Sequence, residues 1–318
     1  MSTNIFTQLA LRLASGIVRF PETYRENIAS FIFSEQDLST MKHDYPHYGG
    51  FRGRRGAGEL YYTGFALRGL ALLGKLNAED RVIDFLRECI DVETWECTEI
   101  ISLLMASILV ETATGRDIFA EKKLIRTDWG LWKLSRFQCP DGGFSSSAET
   151  LYSSTYHTFL VVCLFHLLGL PIDKPQKIVQ LILQRQREDG GFVELPPLYR
   201  SGVSPTVAAV CLLKLLDAEH HLSRKTVEFF LSMKREDGGF KANAVAPVSD
   251  LLSTHTALVA LCELDAVLQM DLSDTELFVD SLWKSEGGGY IGGIWDTVPD
   301  VEYTFYGTAV KSLLASLQ

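Results

Sequence analysis

The 318-residue sequence predicts an all-α fold, a closed α/α toroid of about six helical hairpins. Three observations lead to this prediction. A glycine pair followed by an aromatic residue recurs at intervals of 48 to 50 residues, a threonine recurs in phase with it, and each interval holds one apolar and one amphipathic segment. Repeats of this length that each hold two helices are typical of stacked helical architectures.

The glycine–aromatic motif appears in full three times, as DGGF at residues 141–144, 189–192 and 237–240. Residues 288–290 (GGY) form a degenerate copy, and residues 49–51 (GGF) lie about two periods before the first full copy. Glycine accepts a positive φ at little cost, so this step suits the end of a helix. We expect the aromatic residue that follows to pack back onto the core.

A threonine begins the apolar segment of every repeat, and six such threonines predict six repeats. They are Thr63, Thr98, Thr158, Thr206, Thr256 and Thr304. A helix that is apolar nearly all round is buried on most faces, whereas its amphipathic partner is buried on one. This contrast favours two concentric rings in which the inner helices line a central cavity, although an open solenoid has the same period.

Neither end of the sequence resembles the polar cap that an open solenoid needs, which favours closure. We assign residues 1–318 to a single toroid domain, with repeats from about residue 49 and an N-terminal helical extension over residues 1–48. The length allows a substantial core.

Composition excludes several classes of protein. Lys and Arg number 30 against 40 Asp and Glu, a net charge of −10, and nucleic-acid binding needs a basic footprint instead. The six cysteines form no CxxC pair and are expected to be reduced. Because we find no secretory signal and no apolar run of about 18 residues, we expect no membrane span and a cytoplasmic location.

The segments RQREDGGF and MKREDGGF resemble the repeat of the prenyltransferase and squalene-cyclase family, and the similarity extends from about Gly49 to Leu314. The family includes β subunits of protein farnesyl- and geranylgeranyltransferases and the class II terpene and triterpene cyclases. The resemblance implies an isoprenoid, or an isoprenoid diphosphate, bound in a central apolar cavity. The candidate protein partners are a partner subunit or a second copy of this chain, and the sequence does not decide between them.

Protein prenyltransferases hold zinc through Asp-x-Cys in one repeat and His in the next. The corresponding positions here are Ser253, His255 and Tyr303, which offer one good ligand. The alternative is a shifted site built on Cys97 and His157. Its carboxylate would come from Glu93, Glu96 or Glu99. We therefore predict no certain cofactor, with zinc or magnesium as candidates.

The cyclases protonate a double bond or an epoxide with an Asp-x-Asp-Asp motif, which this sequence lacks. The nearest paired carboxylates are Asp300 and Glu302, and Glu59 has the same offset in the first repeat. Burial keeps such an acid protonated, although carboxylates near helix starts also serve as caps. Asp300 is the first choice as general acid. The candidate catalytic residues are Asp300, Glu302, His255, Tyr303 and Glu59.

Three arginines, Arg52, Arg54 and Arg55, lie among glycines after the first glycine–aromatic motif. Guanidinium groups and backbone N–H donors suit phosphate oxygens, so this loop is the candidate diphosphate site, with a solvated basic loop as the alternative. Aromatic faces stabilise carbocations, although core packing has the same pattern. The other candidate substrate-binding residues are Tyr62, Trp95, Tyr156, His157 and Tyr306.

These features together predict an isoprenoid-handling enzyme, either prenyltransferase-like or terpene-cyclase-like. One alternative is a non-catalytic toroid that lost the zinc and acid motifs and binds a lipid or a partner protein. Another is a sugar-acting α/α toroid, whose paired carboxylates flank the bond that is cleaved.

Overall fold

A computed structural model describes residues 5–40, 43–77 and 79–318 of the chain. It forms two compact units. The terminal unit comprises Leu13–Leu134 and Leu282–Gln318, and the middle unit comprises Ser135–Ser281 together with the chain up to Arg12. The two units are described separately.

The described residues form fourteen α-helices, two short 3-10 helices and one pair of two-residue strands. This confirms the all-α prediction. The helices are α1 Ile5–Ile17, α2 Glu22–Ser34, α3 Leu60–Leu72, α4 Asp80–Cys89, α5 Cys97–Thr114, α6 Ile118–Glu121, α7 Arg126–Ser135, α8 Thr155–Leu167, α9 Pro175–Leu183, α10 Val203–Leu215, α11 Arg224–Met233, α12 Leu251–Glu263, α13 Ser273–Ser281 and α14 Val301–Leu317. The antiparallel strands are β1 Trp283–Lys284 and β2 Gly289–Tyr290.

The apolar helices of the six repeats are α3, α5, α8, α10, α12 and α14. In the terminal unit, α3 contacts both α5 and α14, and in the middle unit α10 contacts both α8 and α12. Their side chains form the core; α10, for example, has nine buried residues among thirteen. The contact between α14 and α3 joins the last repeat to the first, as the predicted closure requires.

The glycine pairs let each repeat approach the amphipathic helix of the next one. Gly190 has a φ of +86°, and a Cβ there would lie 2.3 Å from the backbone of Lys225. A Cβ on Gly239 would likewise lie 2.7 Å from the Phe278 ring. Only glycine fits both the backbone conformation and the contact.

The first repeat begins earlier than the sequence indicated. Gly289 of the last repeat lies against Phe31 of α2, in the same way as Gly239 lies against Phe278 of α13. Helix α2 is therefore the amphipathic helix of the first repeat. The sequence analysis placed the start of the repeats at about residue 49 because the amphipathic pattern of α2 is weak and gives little periodic signal.

A threonine hydroxyl ties each glycine–aromatic motif to the helix that follows. The backbone N–H of Phe192 donates to Thr206 Oγ1 at 2.9 Å, and that hydroxyl donates to the carbonyl of Gly202 at 2.6 Å. The same bond to an aromatic N–H recurs at Thr63, Thr158, Thr254 and Thr304.

This bond corrects two positions of the predicted threonine register. In the fifth repeat the acceptor is Thr254, whereas Thr256 donates to the carbonyl of Leu252 in its own helix. In the second repeat the equivalent position, fourth in the helix, is Ile100, so Thr98 is not in register. Both errors came from counting between threonines instead of counting from the aromatic residue.

Helix α5 is the one described helix whose length and hydropathy would allow it to cross a membrane, with a mean hydropathy of 1.5. A core helix of a soluble protein meets the same criterion. Eight of its residues are buried, and it contacts α3 and α4.

Replacing Thr254 by valine should destabilise the protein, because the buried N–H of Phe240 then loses its acceptor while the side chain keeps its shape. An unpaired buried donor costs about 1–3 kcal/mol. Thr256→Val is the matched control and should change the free energy of unfolding by less than about 0.5 kcal/mol. Urea denaturation of both variants measures the difference, and equal losses would contradict the corrected register.

Candidate functional site

The contact between α3 and α14 brings together the first turns of the first and last inner helices in the terminal unit. Glu59 and Asp300 are the residues that precede these two helices. Tyr61 and Tyr62 lie in the first turn of α3, and Glu302 and Tyr303 lie in the first turn of α14. Most of the carboxylates and aromatic residues that the sequence singled out therefore lie in one unit.

Glu302 is held by two phenols. Its Oε1 accepts a hydrogen bond from the Tyr61 hydroxyl at 2.8 Å and another from the Tyr306 hydroxyl at 3.3 Å. Burial raises the pKa of Glu302, the Tyr61 bond opposes this, and the nearby Asp300 carboxylate raises the pKa further. Among the described residues, no lysine or arginine lies within ion-pair distance of it, and the Arg68 charge lowers its pKa from farther away. Glu302 can therefore hold a proton at a higher pH than an exposed glutamate.

Aromatic rings surround this carboxyl group. The ring of Phe65 lies 5.0 Å from that of Tyr61, 5.3 Å from that of Tyr306 and 5.8 Å from that of Phe305, measured between centroids. Phe65 and Tyr306 are buried. Such ring faces carry negative partial charge and attract a cation.

Asp300 has a structural role. It accepts the backbone N–H of Tyr303 at 2.8 Å and so caps α14, and it forms an ion pair with Arg54 Nε at 3.1 Å. Burial raises the pKa of Asp300, whereas the Tyr303 N–H and the Arg54 guanidinium lower it. The preferred acid of the sequence analysis is thus a helix cap with a counter-ion, and Glu302, two residues later, has neither.

Glu59 and Tyr62 add to the acidic character of this site. Burial and the neighbouring Glu99 carboxylate raise the pKa of Glu59. Burial and three carboxylates raise the pKa of Tyr62, so its phenol stays protonated and can donate a hydrogen bond. Glu59 precedes α3 without forming a side-chain cap bond.

The arginine loop is largely neutralised within the terminal unit. Arg52 pairs with Glu35 at 3.1 Å. Arg54 pairs with Asp296 and Asp300, and its guanidinium lies 5.5 Å from the centre of the Tyr303 ring. Arg55 is exposed and forms no ion pair with a described residue. Two of the three arginines proposed for a diphosphate are therefore already bound to carboxylates.

Trp95 and Cys97 also belong to the terminal unit. The Trp95 indole donates to the carbonyl of Cys89 at 2.9 Å, and Cys97 is the first, fully buried residue of α5. His157 is the third residue of α8. Because Cys97 and His157 occupy different helix positions, the register that suggested a shifted zinc site is wrong. The residues that the structure describes contain no group of three His, Cys, Asp or Glu side chains that could hold a metal ion.

Three further sequence candidates lie in the middle unit. His157 Nδ1 is 2.9 Å from the Ser154 hydroxyl, which also bonds Glu194. The rings of Tyr156 and His157 are 5.6 Å apart. His255 is the fifth residue of α12, and Ser253 is the third, the position that Tyr303 occupies in α14. His255 therefore lies two positions later in its helix than Tyr303 does, and the two do not occupy equivalent positions.

The sequence analysis missed Arg68. Its Nε donates to the carbonyl of Gly64 at 3.0 Å, and its guanidinium lies 4.1 Å from the centre of the Phe65 ring and 5.3 Å from that of Phe305. The available signal was an arginine inside the otherwise apolar segment FALRGLALLG.

A comparison with known protein families identifies the family of this chain. A model of the prenyltransferase alpha-alpha toroid domain matches residues 1–99, 106–244 and 206–318. The chain belongs to this family. The predicted α/α toroid and the resemblance of the repeats are confirmed. No curated protein sequence matches the chain.

Solved structures with the toroid fold are similar over most of the chain. One is a Candida albicans protein geranylgeranyltransferase-I complexed with GGPP, with a TM-score of 0.63 and 18% identity over 80% of this chain and 84% of that one. Another is the type II terpene cyclase MstE from Scytonema, with a TM-score of 0.61 and 12% identity over 97% and 99%. A protein from Actinoplanes has a TM-score of 0.60 and 13% identity over 94% and 100%. At these identities the likeness shows the fold alone.

Replacing Glu302 by glutamine should alter how the stability of this toroid depends on pH. A carboxyl group with a raised pKa binds its proton more tightly in the folded than in the unfolded protein. It therefore opposes folding increasingly as the pH rises above its usual value of 4.5, until the folded pKa is passed. We expect the stability of the variant relative to wild type to increase over this interval, and urea titrations at several pH values measure it. The exposed control Glu228→Gln should keep a constant difference in stability from wild type across these pH values. A constant difference for Glu302→Gln as well would contradict the raised pKa of Glu302.

Replacing Arg54 by methionine should destabilise the protein by about 1–3 kcal/mol, because the half-buried Asp296 and the buried Asp300 lose their counter-ion. Arg224→Met, which removes an exposed pair with Glu228, is the matched control and should cost about 0.5 kcal/mol or less. Urea denaturation near pH 7 compares the two. An Arg54 variant as stable as wild type would show that the loop ion pairs do not support α14.

Proposed function

We propose that this toroid is a terpene-cyclase-like enzyme that binds a polyprenyl chain and protonates one of its double bonds with Glu302. The observation that supports the proposal is the Glu302 carboxyl group itself. It is half-buried, its pKa is raised, and it contacts two phenols beside aromatic rings. Such surroundings favour the protonated form of a carboxylic acid and stabilise a carbocation.

We choose an isoprenoid as the substrate because solved structures with the toroid fold contain isoprenoid ligands. MstE from Scytonema has been solved with geranylgeranyl dihydroxybenzoate as substrate, with 11% identity and a TM-score of 0.58 to this chain. The Candida albicans enzyme carries GGPP. A geranylgeranyl chain is therefore the first substrate to test, with burial of each CH₂ contributing about 0.8 kcal/mol to binding.

In the proposed step, the O–H bond of protonated Glu302 breaks while the electron pair of a substrate double bond forms a new C–H bond. The carbocation is stabilised by the rings of Tyr61 and Tyr306, whose hydroxyls contact Glu302, until a further double bond attacks it and closes a ring. The Tyr61 and Tyr306 hydroxyls stabilise the carboxylate that remains. Loss of a proton from the final cation to water ends the reaction, and solvent reprotonates Glu302.

Protonation is favoured over departure of a diphosphate by the charges of the terminal unit. Arg52 and Arg54 are paired, whereas Glu59, Asp300 and Glu302 lie around the aromatic cluster. A multiply charged anion would find these two guanidinium groups already paired and would be repelled by any of these carboxylates that is ionised. The proposed step uses no metal ion. Zinc or magnesium binding, a partner subunit and a cytoplasmic location stay predictions of the sequence.

The experiment is incubation of the purified protein in D₂O with geranylgeraniol, geranylgeranoic acid and geranylgeranyl diphosphate, followed by mass spectrometry and NMR of the products. We expect a cyclic product that carries one deuterium from solvent at the protonated carbon. Glu302→Gln should lower the rate by about 10²–10⁴-fold because the acid is lost while the phenols keep an acceptor. The exposed Glu228→Gln is the control and should have the wild-type rate.

Two results would contradict the proposal. Release of diphosphate with no deuterium in the product would favour a transferase. Binding of the chains without turnover, unchanged by Glu302→Gln, would favour the non-catalytic lipid-binding alternative. Circular dichroism establishes that the variant is folded in either case.

A further inference from the structure

Arg68 lies on the same face of α3 as Tyr61 and Phe65, because residues four and seven positions apart project from one side of a helix. Its guanidinium is fixed in orientation. The Nε atom donates to Gly64, and the rings of Phe65 and Phe305 lie over the planar group at 4.1 and 5.3 Å. These contacts leave the two terminal nitrogens without a described acceptor.

Arg68 has no described carboxylate at ion-pair distance, unlike several other cations of the chain. Lys133 pairs with Glu93 at 2.6 Å, Lys214 with Glu263 at 2.7 Å, and Arg54 with two aspartates. Within residues 5–40, 43–77 and 79–318, no carboxylate oxygen lies within 4.0 Å of the Arg68 guanidinium. The charge of Arg68 lowers the pKa of Glu302 from beyond ion-pair distance. Its two terminal nitrogens can still donate hydrogen bonds to an anionic ligand.

The position of Arg68 relative to Glu302 suggests how such a ligand would lie. Arg68 is seven residues after Tyr61, which corresponds to about 10 Å along the helix axis. Tyr61 donates to Glu302, and Phe65 lies between the two levels. A chain whose anionic end is at Arg68 would therefore run along the Phe65 ring toward the Glu302 carboxyl group.

We propose that Arg68 binds the anionic end of the prenyl substrate and that this end is a carboxylate. The inference rests on the proposed function, since it names the substrate class of the same site. The planar guanidinium matches the two oxygens of a carboxylate, and a single negative charge suits one arginine. A diphosphate carries more charge than one guanidinium neutralises.

The test is calorimetric titration of wild type and of Arg68→Met with geranylgeranoic acid, geranylgeranyl diphosphate and geranylgeraniol. Methionine keeps the contact with the aromatic rings but removes the charge. We expect wild type to bind the acid about 10- to 100-fold more tightly than the alcohol, and Arg68→Met to remove that preference. The exposed Arg224→Met is the matched control and should bind as wild type does.

Equal affinity for the acid and the alcohol, or a preference that Arg68→Met leaves intact, would overturn the role of Arg68. Tighter, Arg68-dependent binding of the diphosphate would overturn the carboxylate assignment and keep the anion site. Because titration measures binding without turnover, these results are distinguishable from failure of the proposed reaction. If the protein incorporates deuterium but shows no Arg68-dependent preference for the acid, the proposed reaction stands and the proposed role of Arg68 is wrong.

Discussion

The hydrogen bond from the N–H of each repeat's aromatic residue to a threonine hydroxyl is the interaction on which the other features depend. It fixes the chain after the glycine pair against the fourth residue of the next inner helix. The residue that precedes the helix is thereby placed at a constant point in every repeat that has the bond. Asp250 and Asp300 occupy this point in the fifth and last repeats, and both accept a backbone N–H of the first turn.

The sequence predicted the helices and their period well, because apolar segments and glycine pairs are local signals. It misassigned Thr256, since two threonines lie within one turn and only their burial distinguishes the acceptor. A constant separation of fourteen residues from the aromatic position would have identified Thr254. The sequence analysis also did not assign α2 to the first repeat. The evidence for that assignment is the contact between Gly289 and Phe31, which lie far apart in the chain.

The candidate site was predicted in its residue types but not in its pairings. Asp300, Glu302 and the arginine loop were all identified, yet the Arg54 ion pairs and the Tyr61 hydrogen bond join the first repeat to the last. Spacing within one repeat carries no information about such contacts. Arg68 was missed for a related reason, because one arginine in an apolar helix has meaning only once its lack of a carboxylate is known.

The threonine bond also explains why two carboxylates that are two residues apart can have different roles. Asp300 precedes α14, so burial raises its pKa, while its contacts with the helix N–H and with Arg54 oppose this and commit its oxygens to the helix. Glu302 projects from the first turn toward Tyr61 and Tyr306, where burial favours the protonated form. A site that must donate a proton gains from this division, because one carboxylate holds the helix in place while the other is left to titrate.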